Sequence, residues 1–159
     1  MVLRGMIAED FVNYRLPAMY LIFPICCGFK CGREVCQNAS LVDDPHLVVI
    51  DAKEVCKQFV SNGITKSIVC GGLEPFDSVD DLKELISTLR NDFYCQNDVV
   101  IYTGYTEEEV LADEKKKEIL EFSNIVVKYG RYIPNETPHR DCILGVNLAS
   151  SNQYAKRYN

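Results

Sequence analysis

The chain has 159 residues, of which 17 are Lys or Arg and 23 are Asp or Glu, giving a formal charge of −6 and a sequence pI near 4.9. This length predicts a single domain over residues 1–159 with one site, too short for a complete eight-stranded β/α barrel of about 250 residues. The acidic balance, without any basic stripe interleaved with aromatics, gives nucleic-acid binding no electrostatic support. With no apolar run of about 18 residues and no leader-like N-terminus, neither a membrane span nor secretion is expected, and the protein is read as cytoplasmic.

In chain order, residues 1–16 carry mixed charge without a sustained period and read as a lead-in segment that covers one edge of a sheet. The core follows over 17–154, and 155–159 form a tail. Residues 19–23 are an aromatic and aliphatic run of buried-strand type. After a cysteine-rich loop, 47–50 form a short strand, and Asp51 caps a helix whose apolar face is Val55, Phe59 and Val60 and which Asn62-Gly63 ends. Residues 67–70 are a buried strand that runs into Gly71-Gly72-Leu73-Glu74-Pro75-Phe76. Ser78 and the two aspartates beyond it cap the next helix, with Leu82, Leu85, Ile86 and Leu89 at helical spacing.

The strand 98–102 enters Thr103-Gly104-Tyr105. A capping box at Thr106 and Glu109 starts a charged helix that reaches about Phe122. Further strands are expected at 125–127 and 143–146. Strands alternating with helices of this length predict an α/β fold: a partial, open β/α barrel with a mostly parallel sheet of about five or six strands. His46 and His139 receive no role, and Lys115, Lys116 and Lys117 read as a solvated helix face.

Half of the eight cysteines, at 26, 27, 31 and 36, fall within eleven positions. In a reducing compartment this crowding points to metal, because soft thiolates suit iron and zinc. A structural zinc site wants four ligands, commonly as two distant Cys-x-x-Cys pairs, and no second pair follows. Three thiolates on one pliable loop leave an open coordination position, with zinc as the competing occupant. Cys56, Cys70, Cys95 and Cys142 are scattered singly and read as small buried hydrophobes.

In a parallel sheet every C-terminal strand end lies on one edge, where ligands of such folds bind. The cysteine loop, the turn Gly71-Gly72-Leu73-Glu74 and the turn Thr103-Gly104-Tyr105 each follow a strand, so they are expected to meet there.

Cys27-x3-Cys31-x4-Cys36 resembles the radical S-adenosylmethionine signature, Cys-x3-Cys-x2-Cys, with a second gap two residues longer and Val35 where an aromatic residue is usual. Gly71-Gly72-Leu73-Glu74-Pro75 resembles the Gly-Gly-Glu-Pro element of the same superfamily with Leu73 inserted. Tyr102-Thr103-Gly104-Tyr105 and the segment Gly145 to Gln153, which ends in Ser151-Asn152-Gln153, resemble parts of the activating proteins of anaerobic ribonucleoside-triphosphate reductase. Tyr129-Gly130-Arg131-Tyr132 stands where many of those proteins have Asp-Gly-x-Phe.

The resemblance implies a 4Fe-4S cluster on Cys27, Cys31 and Cys36 with one iron left open. It implies S-adenosylmethionine bound at Gly71, Gly72, Glu74, Thr103 and Gly104, and catalysis by cluster and cofactor without a protein acid or base. It implies generation of a glycyl radical on anaerobic ribonucleotide reductase, with flavodoxin or ferredoxin as electron donor. Two other readings stay open: an activase of another glycyl-radical enzyme or a small peptide-modifying radical enzyme, and a non-enzymatic zinc or iron-sulfur binding module.

Overall fold

The structure, a computed structural model, describes residues 1–28 and 31–159, so Phe29 and Lys30 of the cysteine loop lie outside the described residues. The elements are β1 (Val2–Leu3), β2 (Gly5–Asp10), β3 (Ala18–Phe23), α1 (Ala39–Asp43), β4 (Val48–Val49) and α2 (Ala52–Ser61). They continue with β5 (Ser67–Gly72), a 3-10 turn (Pro75–Ser78), α3 (Val79–Asn91), β6 (Asp98–Tyr102), α4 (Glu107–Leu111) and α5 (Glu114–Ile119). The chain closes with β7 (Ile125–Tyr129), β8 (His139–Arg140), β9 (Asn147–Leu148) and β10 (Tyr154–Tyr158).

The main sheet has six strands in the order β10-β7-β6-β5-β3-β2. The four middle strands are parallel, and β2 and β10 close the two edges antiparallel. The sheet is open and mostly parallel, as the alternation of strands and helices predicts. Each middle strand is a near-continuous apolar run because it is covered on both faces. On one face lie Leu21, Ile68, Cys70, Val99, Ile101, Val127 and Tyr129, packed against Val55 and Phe59 of α2 and the Leu82, Leu85, Ile86 and Leu89 stripe of α3. On the other lie Ala18, Val69, Val100 and Val126, covered not by helices but by Tyr14, Leu144 and Leu148 from the two irregular ends of the core. No helix among the described residues is long and apolar enough to cross a membrane.

Local signals worked where a cap and a stripe coincide. Asp51 accepts the Lys53 N–H at 2.7 Å, and Thr106 and Glu109 form the capping box. Other expectations are corrected. The charged helix is two short ones, since Asp113 caps α5 by accepting the Lys116 N–H and ends α4 in the process. Ser78 makes no capping hydrogen bond, and Val60 at the end of α2 is exposed.

Residues 143–146 are not a strand. The Asp141 carboxylate takes the amides of Ile143 and Leu144 at 2.9 and 2.8 Å, and a side chain that captures amides in this way competes with a ladder. The last strand is instead β10, which occupies most of the expected tail. The strand at 47–50 pairs as Val48–Val49 with β1 and stays outside the main sheet. The lead-in segment contributes β2, which does cover an edge. Cys56 and Cys70 are buried, but Cys95 is only partly so and Cys142 is exposed.

Candidate functional site

The parallel strands deliver three loops to one edge, and hydrogen bonds join them there. The Glu74 N–H donates to Ile25 O at 2.7 Å, and Asn38 Nδ2 donates to Gly72 O at 2.8 Å, so the cysteine loop is tied at both ends to the turn after β5. Asp77 accepts from the Tyr105 hydroxyl at 2.6 Å and from the Cys27 amide, linking the first cysteines to the turn after β6. Arg33 and Asp43 pair at 2.6 Å across the outer part of the loop.

Glu74 joins the other two turns. One carboxylate oxygen accepts from the Phe76 N–H at 3.2 Å and the Thr103 hydroxyl at 2.8 Å, and the other accepts from the Gly104 N–H at 2.8 Å. Glu74, Thr103 and Gly104 are therefore brought together as expected, but as a brace within the protein. Glu74 is buried, and desolvation, outweighing those three hydrogen bonds, pushes its carboxyl from the ordinary 4.5 up to about 7. The folded state thus holds this proton more tightly than the unfolded chain. Its contribution is fully present below the unfolded value and is lost as pH rises through about 7. From pH 5 to pH 8 the wild type is expected to lose about 2–3 kcal/mol through this group. Glu74→Gln should lack that fall, although weaker overall for want of an acceptor at Gly104. Urea midpoints of the two proteins at both pH values check it.

Gly71 and Gly72 owe their identity to packing. A Cβ on Gly71 would stand 2.5 Å from the Tyr20 hydroxyl oxygen, which accepts the Gly72 N–H at 2.8 Å. Gly72 has φ +88, and a Cβ there would stand 2.6 Å from the Ile22 Cγ2 and 3.0 Å from its Cα. This backbone and the neighbouring Ile22 are enough to require glycine at 72.

Above these turns lies a cleft of about 170 Å³, whose walls include Cys26, Cys31, Cys36, Gly72, Glu74 and Thr103. It shares Cys31, Gly130, Arg131 and Tyr132 with a second cavity of about 590 Å³. Cys31 and Cys36 meet at the cleft, as expected. Cys26 is the third sulfur on its wall, whereas Cys27 sits on the exposed turn beside it. Burial, and then the neighbouring Cys36 charge, pushes the Cys31 thiol up to about 11. Among the described residues no three His, Cys, Asp or Glu groups stand close enough to hold a metal ion. The donor set fits an iron-sulfur cluster by its chemistry: soft thiols crowded on one loop beside a cleft.

Three features of the site were not assigned from the sequence. Lys128, on β7, is buried and donates to Gly130 O at 2.8 Å, and burial lowers its ammonium to about 8. Gln153 accepts the amides of Ala149 and Ser150 and donates to the same Gly130 carbonyl at 3.3 Å. Asn152 donates to Arg131 O at 2.9 Å, so the Ser151-Asn152-Gln153 segment latches the end of the chain onto the cleft wall. Only the departure from Asp-Gly-x-Phe drew attention to the neighbourhood of Lys128. Of the histidines, His46 is exposed beside Asp44 and His139 lies on β8, both outside the cleft walls.

A family model described as a 4Fe-4S single cluster domain matches residues 19–154, most of the chain. No curated protein and no solved structure is similar enough to count as a match.

Proposed function

Since the chain belongs to the family of 4Fe-4S single cluster domains, we propose that it is a radical S-adenosylmethionine activase that generates a glycyl radical on anaerobic ribonucleotide reductase. The observation that carries this reading is the convergence of the cysteine loop with the Gly71-Gly72-Leu73-Glu74 and Thr103-Gly104-Tyr105 turns on one strand-end cleft. We read the open sheet as a partial β/α barrel, with helices on its outer face and the cleft at its C-terminal mouth.

In this reading Cys27, Cys31 and Cys36 hold the cluster, and flavodoxin or ferredoxin supplies electrons to it in the cytoplasm. Bound and reduced, the cluster would supply the single electron for reductive cleavage of S-adenosylmethionine, the chemistry that generation of a glycyl radical on the partner requires. The chain's own residues bind and orient. The Glu74 brace fixes the two turns against each other, Tyr20 holds the Gly72 amide, and Asp77 holds the Cys27 amide. None of them needs to move a proton, because hydrogen-atom transfer requires no general base. The cleft is partly open, and a macromolecular partner seated on this edge would exclude water and oxygen.

The test is anaerobic mixing of the reduced protein, S-adenosylmethionine and the reductase, with a glycyl radical on the reductase as the expected product.

A further inference from the structure

The 3-10 turn after β5 carries an aspartate whose two oxygens both leave the element. The helix that follows, α3, has no side-chain cap at Ser78, yet Asp77 is not spent there. Its Oδ1 accepts from the Tyr105 hydroxyl at 2.6 Å, and its Oδ2 accepts the Cys27 N–H. Asp77 thus stands between the turn after β6 and the start of the cysteine loop.

Tyr105 is held firmly enough to aim that hydroxyl. Its N–H donates to Thr103 Oγ1 at 3.0 Å, its carbonyl accepts the Gly130 N–H at 3.0 Å, and its ring packs against the core with Lys116 Nζ 4.9 Å from the centroid. Burial, then the bond to Asp77, holds the phenol well above its ordinary value, so it stays a donor, and the Cys27 charge adds to that rise. The Asp77 charge also reaches Glu74, whose carboxyl it raises further after burial.

A negative charge beside a cluster opposes the addition of an electron and lowers the potential at which the cluster is reduced. We infer that Asp77, oriented by Tyr105, is a positioning residue that sets the reduction potential of the cluster as well as the place of Cys27. This rests on the reading above, in which Cys27 is the first of three cluster ligands. The Asp77 charge keeps the cluster a strong one-electron reductant, and the Tyr105 hydroxyl, by donating to the same carboxylate, moderates that charge.

The experiment reads a potential, not turnover. Wild type, Asp77→Asn, Asp77→Glu and Tyr105→Phe are reconstituted anaerobically and titrated with reductant in the absence of S-adenosylmethionine, the reduced fraction being followed by electron paramagnetic resonance. At a fixed potential Asp77→Asn is expected to raise the ratio of reduced to oxidised cluster about three- to tenfold, the upper figure being about 59 mV for one electron. Tyr105→Phe keeps the carboxylate but removes its donor, so it should shift the ratio the other way, by less. Asp77→Glu retains the charge and should stay closer to wild type than Asp77→Asn. Opposite signs are what a merely structural role would not give, since a loosened loop would move both variants alike. A wild-type ratio in Asp77→Asn, or shifts of one sign in Asp77→Asn and Tyr105→Phe, would overturn the proposal and leave the cluster reading standing. Should Asp77→Asn take up no cluster, Tyr105→Phe decides: a shift toward the oxidised form supports the proposal, and one toward the reduced form overturns it. Wild type that takes up no 4Fe-4S cluster would overturn the cluster reading itself and the proposal with it.

Discussion

Replacing Cys31 with serine is expected to reduce iron and sulfide from about four of each per chain to near none after anaerobic reconstitution. Cys31 lines the cleft in the middle of the loop, whereas the one sulfur that the resemblance leaves over, Cys26, stands beside Cys27 at its start. A serine oxygen is a harder donor and stays protonated at neutral pH, which makes it a poor ligand for iron. Cys36→Ser should have the same result. At the start of the loop the resemblance assigns Cys27, and Cys27→Ser should lose the cluster while Cys26→Ser keeps most of its iron. The reverse pattern would move the register by one residue, to the sulfur that lines the cleft. Iron that is unchanged in Cys31→Ser, or stoichiometric zinc in place of iron in the wild type, would sink the assignment of this loop to a cluster.

The second large effect is on stability. Gly72→Val should destabilise the fold by about 2–5 kcal/mol, from the cost of a left-handed backbone for an L residue and the cost of overpacking. Both causes are present at this position: φ is +88, and the added Cβ meets Ile22 on the adjacent strand, including its Cα, which cannot rotate away. β3 and β5 are hydrogen-bonded neighbours there, with Phe23 opposite Gly72, so separating them would also pull on the cysteine loop that leaves β3. The denaturation midpoint of the apoprotein, without cluster or cofactor, measures it. A midpoint within experimental error of wild type would show that the turn yields easily, and glycine at 72 would then need a ligand-based explanation. Weakened cofactor binding in this variant is therefore a consequence of a damaged turn before it is a sign of a lost contact.

The comparison of Gly72 with the cysteines shows what the sequence could and could not convey. The parallel sheet was legible because buried strands such as 67–70 and 98–102 are short apolar runs between helical stripes, and a stripe such as Leu82, Leu85, Ile86 and Leu89 has one packing solution. The site edge was legible for the same reason, since topology alone puts the three loops together. What was not legible depends on contacts between residues far apart in the chain. Nothing local to Gly72 announces Ile22 or Tyr20, which are about fifty positions away. Glu74 looked like a ligand group, and only the fold shows its oxygens turned to Thr103 and Gly104.

The end of the chain was misread for a different reason. Residues 143–146 have strand-like composition, but Asp141 takes their amides, and pairing passes to the more polar β10. A polar strand at a sheet edge carries little periodic signal, because its outward residues answer to solvent. Lys128 was likewise hidden: a lysine at the end of an apolar run reads as the strand's exit to water, whereas in the fold it is buried and donates to the Gly130 carbonyl that Gln153 also binds.

The measurement that bears most directly on the central claim is the electron paramagnetic resonance spectrum of the anaerobic mixture of reduced protein, S-adenosylmethionine and anaerobic ribonucleotide reductase. The account predicts a doublet from a glycyl radical on the reductase, absent when S-adenosylmethionine is left out and lost when the reductase's radical-bearing glycine is changed to alanine. Cleavage of S-adenosylmethionine without that doublet would contradict the assigned partner and favour another glycyl-radical or peptide substrate. No cleavage at all under strong reduction would contradict the radical chemistry and leave a domain that only holds its metal.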